Sequence, residues 1–241
     1  MDIDSIYVKL KSFLHDKTAG QQLYQKTVSI SCRTLTAFEA IGNPEHKDYP
    51  IIKGKEVMIE ADFLGVKGQA FTDEFECTTY SISQLLDIDT DTNKKRASFI
   101  ASFNAVSRYL NLCDKTVHCK DKEPVLCAEQ LITIIPADYK VLLIGYQPRF
   151  LEKLSKAFPV RIIDMDQDNI GCEKFGIMVE PPKQTADAMD WCDLMLVTGS
   201  TLVNGTILNF LDSYKPVLFY GITISAAAPL LSLKRYCFCG H

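Results

Sequence analysis

The stretch from Leu194 to Thr206, L-M-L-V-T-G-S-T-L-V-N-G-T, constrains this chain most. An apolar, strand-like run ends there in glycine and small hydroxyls, where a helix is expected to begin. At the carboxyl end of a parallel strand, Gly199 lets another molecule approach the backbone. Ser200 and Thr201 can cap the helix, whose first N–H groups point outward. Two further apolar runs end in the same way: Val141–Ile144 stops at Gly145, and Val217–Tyr220 stops at Gly221. In a parallel sheet these ends fall on one edge, the edge where ligands bind. The candidate ligand-binding residues are therefore Gly145, Tyr146, Asp164, Thr198, Gly199, Ser200, Thr201, Gly221 and Thr223, with Asn204 and Thr206 one turn further in.

The surrounding pattern divides the chain. Ile3, Ile6, Tyr7, Leu10, Phe13 and Leu14 recur at helical spacing before a stop at Gly20. Val28, Ile30 and Cys32 alternate with polar residues, as do Val57, Ile59 and Ala61, and Val66–Thr72 follows a turn at Gly65. These read as an antiparallel meander. A long helix over 93–112 places Phe99, Phe103, Val106 and Leu110 on one stripe, so residues 1–112 form an α+β domain. Residues 113–124, C-D-K-T-V-H-C-K-D-K-E-P, read as a linker. From 125 to 241 helices and strands alternate. Helices are expected at 126–135, 148–157, 184–191 and 201–212, and strands at 140–145, 160–164, 193–198, 216–220 and 236–239. That alternation predicts an α/β domain with a doubly wound, mostly parallel sheet.

Composition narrows the partners. A net charge of −4 with no basic cluster argues against nucleic acid. The start M-D-I-D-S-I-Y lacks the charged and apolar regions of a secretory signal, so a cytoplasmic protein is expected. The longest apolar stretch, Val217–Leu233, is interrupted by Gly221, Thr223, Ser225 and Pro229 and fails as a membrane span. Nine cysteines, at 32, 77, 113, 119, 127, 172, 192, 237 and 239, show no disulfide-framework spacing and read as thiols, with Cys32 and Cys192 packed as small hydrophobes. The expected partners are a small molecule and, at most, a second copy of the chain as a homodimer.

Other motifs are weighed by their chemistry. Asp164 ends a strand nineteen residues after Gly145, where a nucleotide-binding fold places a carboxylate on ribose. The turn G-Y-Q-P-R-F, however, has one glycine where a pyrophosphate or adenosyl cofactor needs three. Asp87-Asp89-Asp91 and Asp164-Asp166-Asp168 look like calcium loops. They fail at the turn position, occupied by Thr92 and Asn169, and at the bidentate position, occupied by Ser98 and Phe175. At the C-terminus, Cys237 and Cys239 would share one side of a strand, with His241 close behind. They form a candidate set for a soft divalent metal or metal chelate, with a fourth ligand from Cys113, Cys119 or His118. Asn104, in an apolar helix, either faces the interdomain cleft or bonds across the core. Glu39, His46, Glu60, Asp62 and Glu180 are all placed to serve as an acid or base, and spacing does not choose among them.

Together, G-V-K-G-Q-A-F-T-D at 65–73, the helix around Asn104, L-L-I-G-Y at 142–146, V-T-G-S-T-L-V-N-G-T at 197–206 and F-Y-G-I-T-I-S-A-A-A-P-L-L at 219–231 carry a resemblance. The chain resembles the putative heavy-metal chelation domain family over nearly its whole length. The resemblance implies an enolase N-terminal-like domain followed by a Rossmann-like domain, with a site between them. It also implies condensation or hydrolysis of molecules related to flavins, pterins or siderophores in a metal-handling context. Relatives often follow the fourth strand with G-P-S-x-P, whereas this chain has G-I-T-I-S-A-A-A-P.

The leading expectation is a cytoplasmic small-molecule enzyme that holds an anionic or heterocyclic substrate, such as a metallophore precursor, between the domains. The Gly199, Ser200 and Thr201 amides would bind the anion, Asp164 a hydroxyl or ring nitrogen, and Asn104 would orient the ligand from the other domain. A non-enzymatic metal-binding or metallochaperone protein using Cys237, Cys239 and His241 is the rival. An S-adenosylmethionine-dependent methyltransferase is the third reading.

Overall fold

A computed structural model describes residues 2–21, 23–30, 35–44, 48–53 and 57–241. Helix α1 (Ile3–Ala19) starts where the Asp2 side chain accepts from Ser5 N, and it buries Ile6, Tyr7, Leu10 and Leu14. Strands β1 (Thr27–Ile30), β2 (Val57–Phe63) and β3 (Val66–Thr72) form the expected antiparallel meander, with helix α2 (Ala37–Ile41) between the first two. Strand β4 (Thr78–Ser81), which the sequence pattern does not single out, pairs with β1 and completes the order β3-β2-β1-β4. Helix α3 (Ile82–Asp87) follows it. Helix α4 (Asn93–Tyr109) buries every residue from Ala97 to Ser107.

Beyond helix α5 (Glu123–Thr133) the chain alternates as expected: β5 (Val141–Ile144), α6 (Pro148–Ala157) and β6 (Val160–Ile163). Next comes a hairpin, β7 (Glu173–Lys174) and β8 (Ile177–Glu180), turned by Phe175 and Gly176, both at positive φ. Helix α7 (Thr185–Trp191), β9 (Leu194–Thr198), α8 (Leu208–Leu211), β10 (Val217–Tyr220), α9 (Ala227–Leu230) and β11 (Arg235–Tyr236) complete the chain. The seven-stranded order is β11-β10-β9-β5-β6-β8-β7, parallel throughout except for β7. The protein is thus an α/β fold with an antiparallel meander followed by a mostly parallel sheet. Among the described residues no helix is long and apolar enough to cross a membrane.

The central strands are buried on both faces, as parallel strands must be, and the side-chain period of two separates the faces. Val141, Leu143, Leu194 and Leu196 pack with Leu131 of α5 and Leu151 and Leu154 of α6. Leu142, Met195, Val197 and Phe219 face the other way and join one continuous cluster with Tyr7, Phe99 and Phe103. The amino-terminal half therefore serves as part of the layer that covers one face of the parallel sheet.

Two sequence expectations change here. Residues 113–124 do not hang between the halves as a tether. Thr116 O accepts from Gln69 N at 3.0 Å, the Thr116 hydroxyl donates to Lys67 O, and Val117 exchanges backbone bonds with His241. This segment covers the outer edge of β3, whose amides would otherwise be unpaired. The helix expected over 201–212 is broken into a 3-10 turn, Gly199–Leu202, and the one-turn α8. Gly205 at φ +80° and the Asn204 side chain, which accepts from Thr206 N and Oγ1, divert the chain between them.

Candidate functional site

The order of the parallel sheet reverses at β5: β6 lies on one side of it and β9 on the other. A crevice opens beyond the strand ends at such a switch point. Gly145 sits there at φ +88°, and a Cβ on it would come within 2.7 Å of Thr198 Cγ2. The end of β5 therefore needs glycine both for its conformation and for the space beside β9. The Tyr220 hydroxyl reaches the carbonyls of Ile144 (3.0 Å) and Gly145 (2.9 Å), tying the end of β10 to the end of β5.

These strand ends open into a cavity of about 580 Å³, within the range of small-molecule sites. Gly145, Tyr146, Asp164, Thr198, Gly199, Ser200, Thr201, Asn204, Thr206, Gly221 and Thr223 all line it. The amino-terminal half supplies Ile41, Tyr49 and Phe71, which sequence reasoning missed; Tyr49 lies in a stretch rich in turn formers, G-N-P-E-H-K-D-Y-P at 42–50. A second, open groove of about 510 Å³, which includes Cys113 and Arg235, lies apart from the strand ends.

Much of the rim bonds to itself. Asp164 Oδ2 accepts from Tyr146 N at 2.6 Å and Oδ1 from Asp166 N at 2.7 Å, so the carboxylate fixes the turn after β5 as well as its own. Burial raises its pKa above the ordinary carboxylate value, against the lowering effect of those amides. The Thr198 and Ser200 hydroxyls pair at 3.0 Å, Thr201 donates to Thr198 O, and Thr223 Oγ1 accepts from Phe71 N. Because the turn after β9 is a 3-10 turn, it lacks the aligned amides of a long helix, and the expected anion cradle is correspondingly weak. Among the described residues, moreover, no Lys or Arg lines the cavity, whereas Asp73, Asp164 and Asp166 do.

Asn104 is not a wall of the cavity. It is fully buried; its Nδ2 donates toward Gln69 O (3.0 Å), Thr223 O (3.1 Å) and Ile222 O (3.2 Å), and its Oδ1 accepts from Ala226 N (2.9 Å). Both N–H groups and one lone pair of the amide are thus spent on backbone groups of both halves. It acts on the cavity only by holding the 221–226 loop that forms one side.

With this geometry in place, the comparisons with known proteins fit. Residues 130–234 match the model of the DUF364 family, described as "Putative heavy-metal chelation". That stretch resembles a DUF364 domain. Two solved DUF364-family proteins of unknown function share the fold of the chain. One, from Pyrococcus horikoshii, is 13% identical with a TM-score of 0.55, over 90% of this chain and 79% of that one. The other, from Desulfitobacterium hafniense DCB-2, is 13% identical with a TM-score of 0.52, over 92% and 82%. No curated protein matches the chain.

The name of the DUF364 family implies a heavy metal, and the donors can be tested against that. The expected set of Cys237, Cys239 and His241 is not brought together. Strand β11 ends at Tyr236, so the two cysteines do not share a strand face, and the His241 ring lies 3.0 Å from a Glu123 carboxylate oxygen. Among the described residues no three His, Cys, Asp or Glu side chains are set to enclose an ion. Cys237 does line the cavity, and beside it the sequence reading missed Cys127 and weighed Cys119 and His118 only as a fourth ligand. Cys119, Cys127, Cys192 and Cys237 are free thiols; Cys32 and His46 lie outside the described residues. His118, Cys119, Cys127 and Cys237 all line the cavity, without forming a metal-enclosing set among the described residues.

His118 gives the cavity wall a pH signature. Burial depresses its pKa from 6.5 to about 4, opposed by the hydrogen bond between its Nδ1 and Cys119 O at 2.6 Å. The unfolded chain takes up the proton first as pH falls, so stability is full above about pH 6.5 and lost toward about pH 4. We expect a loss of about 2–3 kcal/mol between about pH 7 and pH 4.5, much of it absent in His118→Gln. Urea midpoints at the two pH values measure it, and equal pH slopes in the two proteins would contradict it.

Proposed function

We propose that the DUF364 domain and the amino-terminal half together form a cytoplasmic small-molecule protein that binds a neutral or cationic heterocycle in the strand-end cavity. One observation supports this reading above the others. The lining combines aromatic side chains, Tyr49, Phe71, Tyr146, Phe150 and Tyr220, with small hydroxyls and aspartates, and among the described residues it has no cationic side chain. Aromatic walls suit a planar ring system, and hydroxyls and exposed carbonyls at strand ends suit its ring nitrogens and substituents. An anion would meet acidic groups without a compensating charge. Asp164 is the acceptor for a ring N–H, through the lone pairs its backbone bonds leave over. Pterins, flavins and related metallophore precursors are heterocycles of this kind, and condensation or hydrolysis in metallophore metabolism is the reaction context we assign.

The test is chemical. Small molecules released from the purified protein by denaturation are identified by mass spectrometry, and lumazine and riboflavin are titrated by thermal shift. Ser200, half-buried at the rim, is replaced by Trp to fill the cavity. We expect a heterocycle from the native protein and a loss of at least about tenfold in affinity in Ser200→Trp, or about 1.4 kcal/mol. Equal release from both proteins, or no binding of either probe, would count against the cavity as the site.

A further inference from the structure

One imidazole on the cavity wall keeps a nitrogen uncommitted. His118 lines the cavity on a backbone that is pinned twice: its N–H donates to Gln69 Oε1 at 2.7 Å, and the preceding Val117 exchanges backbone bonds with His241. The ring is pinned as well. Its Nδ1 lies 2.6 Å from Cys119 O, and it meets the Phe71 ring edge to face at 5.4 Å. A carbonyl oxygen can only accept, so Nδ1 carries the hydrogen and, in the neutral ring, Nε2 carries the lone pair. Among the described residues no group bonds to Nε2. Nor is that nitrogen sealed in: the enclosed, unpartnered side-chain atoms belong to Asp48, Ser98, Ser102, Ser107 and Arg149. Burial disfavours the imidazolium, so the lone pair is present at neutral pH.

We propose that His118 is the general base of the cavity, its Nε2 taking a proton from a water molecule as that water adds to a ring carbon of the bound heterocycle. The inference rests on the reading of the cavity as a heterocycle site, and it supplies the catalytic group for hydrolytic chemistry there. The carboxylates on the wall are already engaged: Asp164 by Tyr146 N and Asp166 N, Asp166 by Asp168 N, and Asp73 by the Asn93 amide. Burial keeps the Cys119 and Cys237 thiols protonated. In the step, the water oxygen bonds to the carbon of a ring C=N, one O–H bond breaks toward Nε2, and the π pair moves onto the ring nitrogen. The imidazolium then returns that proton to the ring nitrogen. The ring gains one water, and no oxidant, reductant or further co-reactant takes part. The bond from Nδ1–H to Cys119 O holds the ring in this tautomer, the orienting part that a carboxylate plays for other catalytic histidines.

The probe is pteridine, a planar heterocycle that adds water reversibly across a ring C=N and changes its ultraviolet spectrum as it does so. The full chain is expected to speed the approach to that equilibrium at least about tenfold, a modest demand beside the roughly 100-fold or more of a positioned base. His118→Gln keeps a hydrogen-bonding side chain but no base. Its affinity for pteridine should stay within about threefold of the native value while the acceleration is lost. His15→Gln, at an exposed ring on α1, should change neither. A second measurement needs no variant: nitrogen NMR of the native chain should show the His118 Nδ1 protonated and Nε2 bare at neutral pH, with pteridine shifting the Nε2 signal. Acceleration retained in His118→Gln, a bare Nδ1, or pteridine or lumazine bound without acceleration of pteridine hydration each overturns the base. In those cases a probe excluded by Ser200→Trp leaves the cavity reading standing. Failure of pteridine, lumazine and riboflavin alike to bind removes both.

Discussion

Asn104→Asp is expected to destabilise the protein by at least about 4 kcal/mol. The new oxygen would replace an Nδ2 that donates toward three backbone carbonyls, Gln69, Ile222 and Thr223, at a position with no solvent exposure. As a carboxylate it would be a buried charge facing three partial negative charges. As a neutral acid it would have one hydrogen to offer three acceptors. Since Ile222 and Thr223 also line the cavity, the damage should reach function: the 221–226 loop loses its anchor to α4, and affinity for any cavity ligand should fall with stability. Chemical denaturation of the two proteins measures the first effect, and ligand titration at a temperature where both are folded measures the second. A loss below about 1 kcal/mol would mean that the clamp carries no load.

Asn104 also marks where sequence reading stops. A polar amide among Phe99, Phe103 and Val106 must find partners, and that much follows from chemistry. Its partners lie 35 and about 120 residues away, and no local pattern reveals them. The strands β5, β6, β9 and β10 are legible because each is a short apolar run, and the glycines after β5, β9 and β10 are legible as strand ends. Their meeting at one cavity follows from parallel topology, which alternation alone predicts. Strands β4 and β8 escape notice for different reasons: β4 is not an apolar run and has no fully buried residue, and the apolar run of β8, Ile177–Val179, is only three residues long with Val179 alone buried. The helix expected from 201 fails at Asn204-Gly205, a dipeptide that favours a turn and here adopts one. The cysteines that line the cavity are the least legible part. Cys119 sits in a stretch whose charge suggested a solvated linker, yet that stretch closes the edge of β3 and buries the thiol. Eight-residue spacing from Cys119 to Cys127 matches no closed metal motif, and Cys237, which lines the same cavity, comes from the other end of the chain.

Gly68→Ala should rival the Asn104 change, by a purely steric route. At Gly68, β3 passes directly against α4. An added Cβ would lie 2.9 Å from Ala105 Cα and closer still to Ala105 N and Ala101 O. All three are helix backbone, so no side chain can rotate aside, and the whole of α4 must retreat or β3 must bend. Overpacking in a core that can yield costs about 1–3 kcal/mol; against backbone on both sides we expect at least about 4 kcal/mol. The retreat would also act at a distance. Helix α4 lies between the meander and the parallel sheet and carries Asn104, so moving it away from β3 pulls on the bonds to Ile222, Thr223 and Ala226. Gly20→Ala is the control: its Cβ would meet nothing within 4 Å at an ordinary φ of −74°, and its effect should stay within about 0.5 kcal/mol. Urea midpoints of the two variants decide the matter. If Gly68→Ala unfolds no more easily than Gly20→Ala, then β3 and α4 do not approach as closely as described here, and the coupling of the amino-terminal half to the cavity through that helix fails with it.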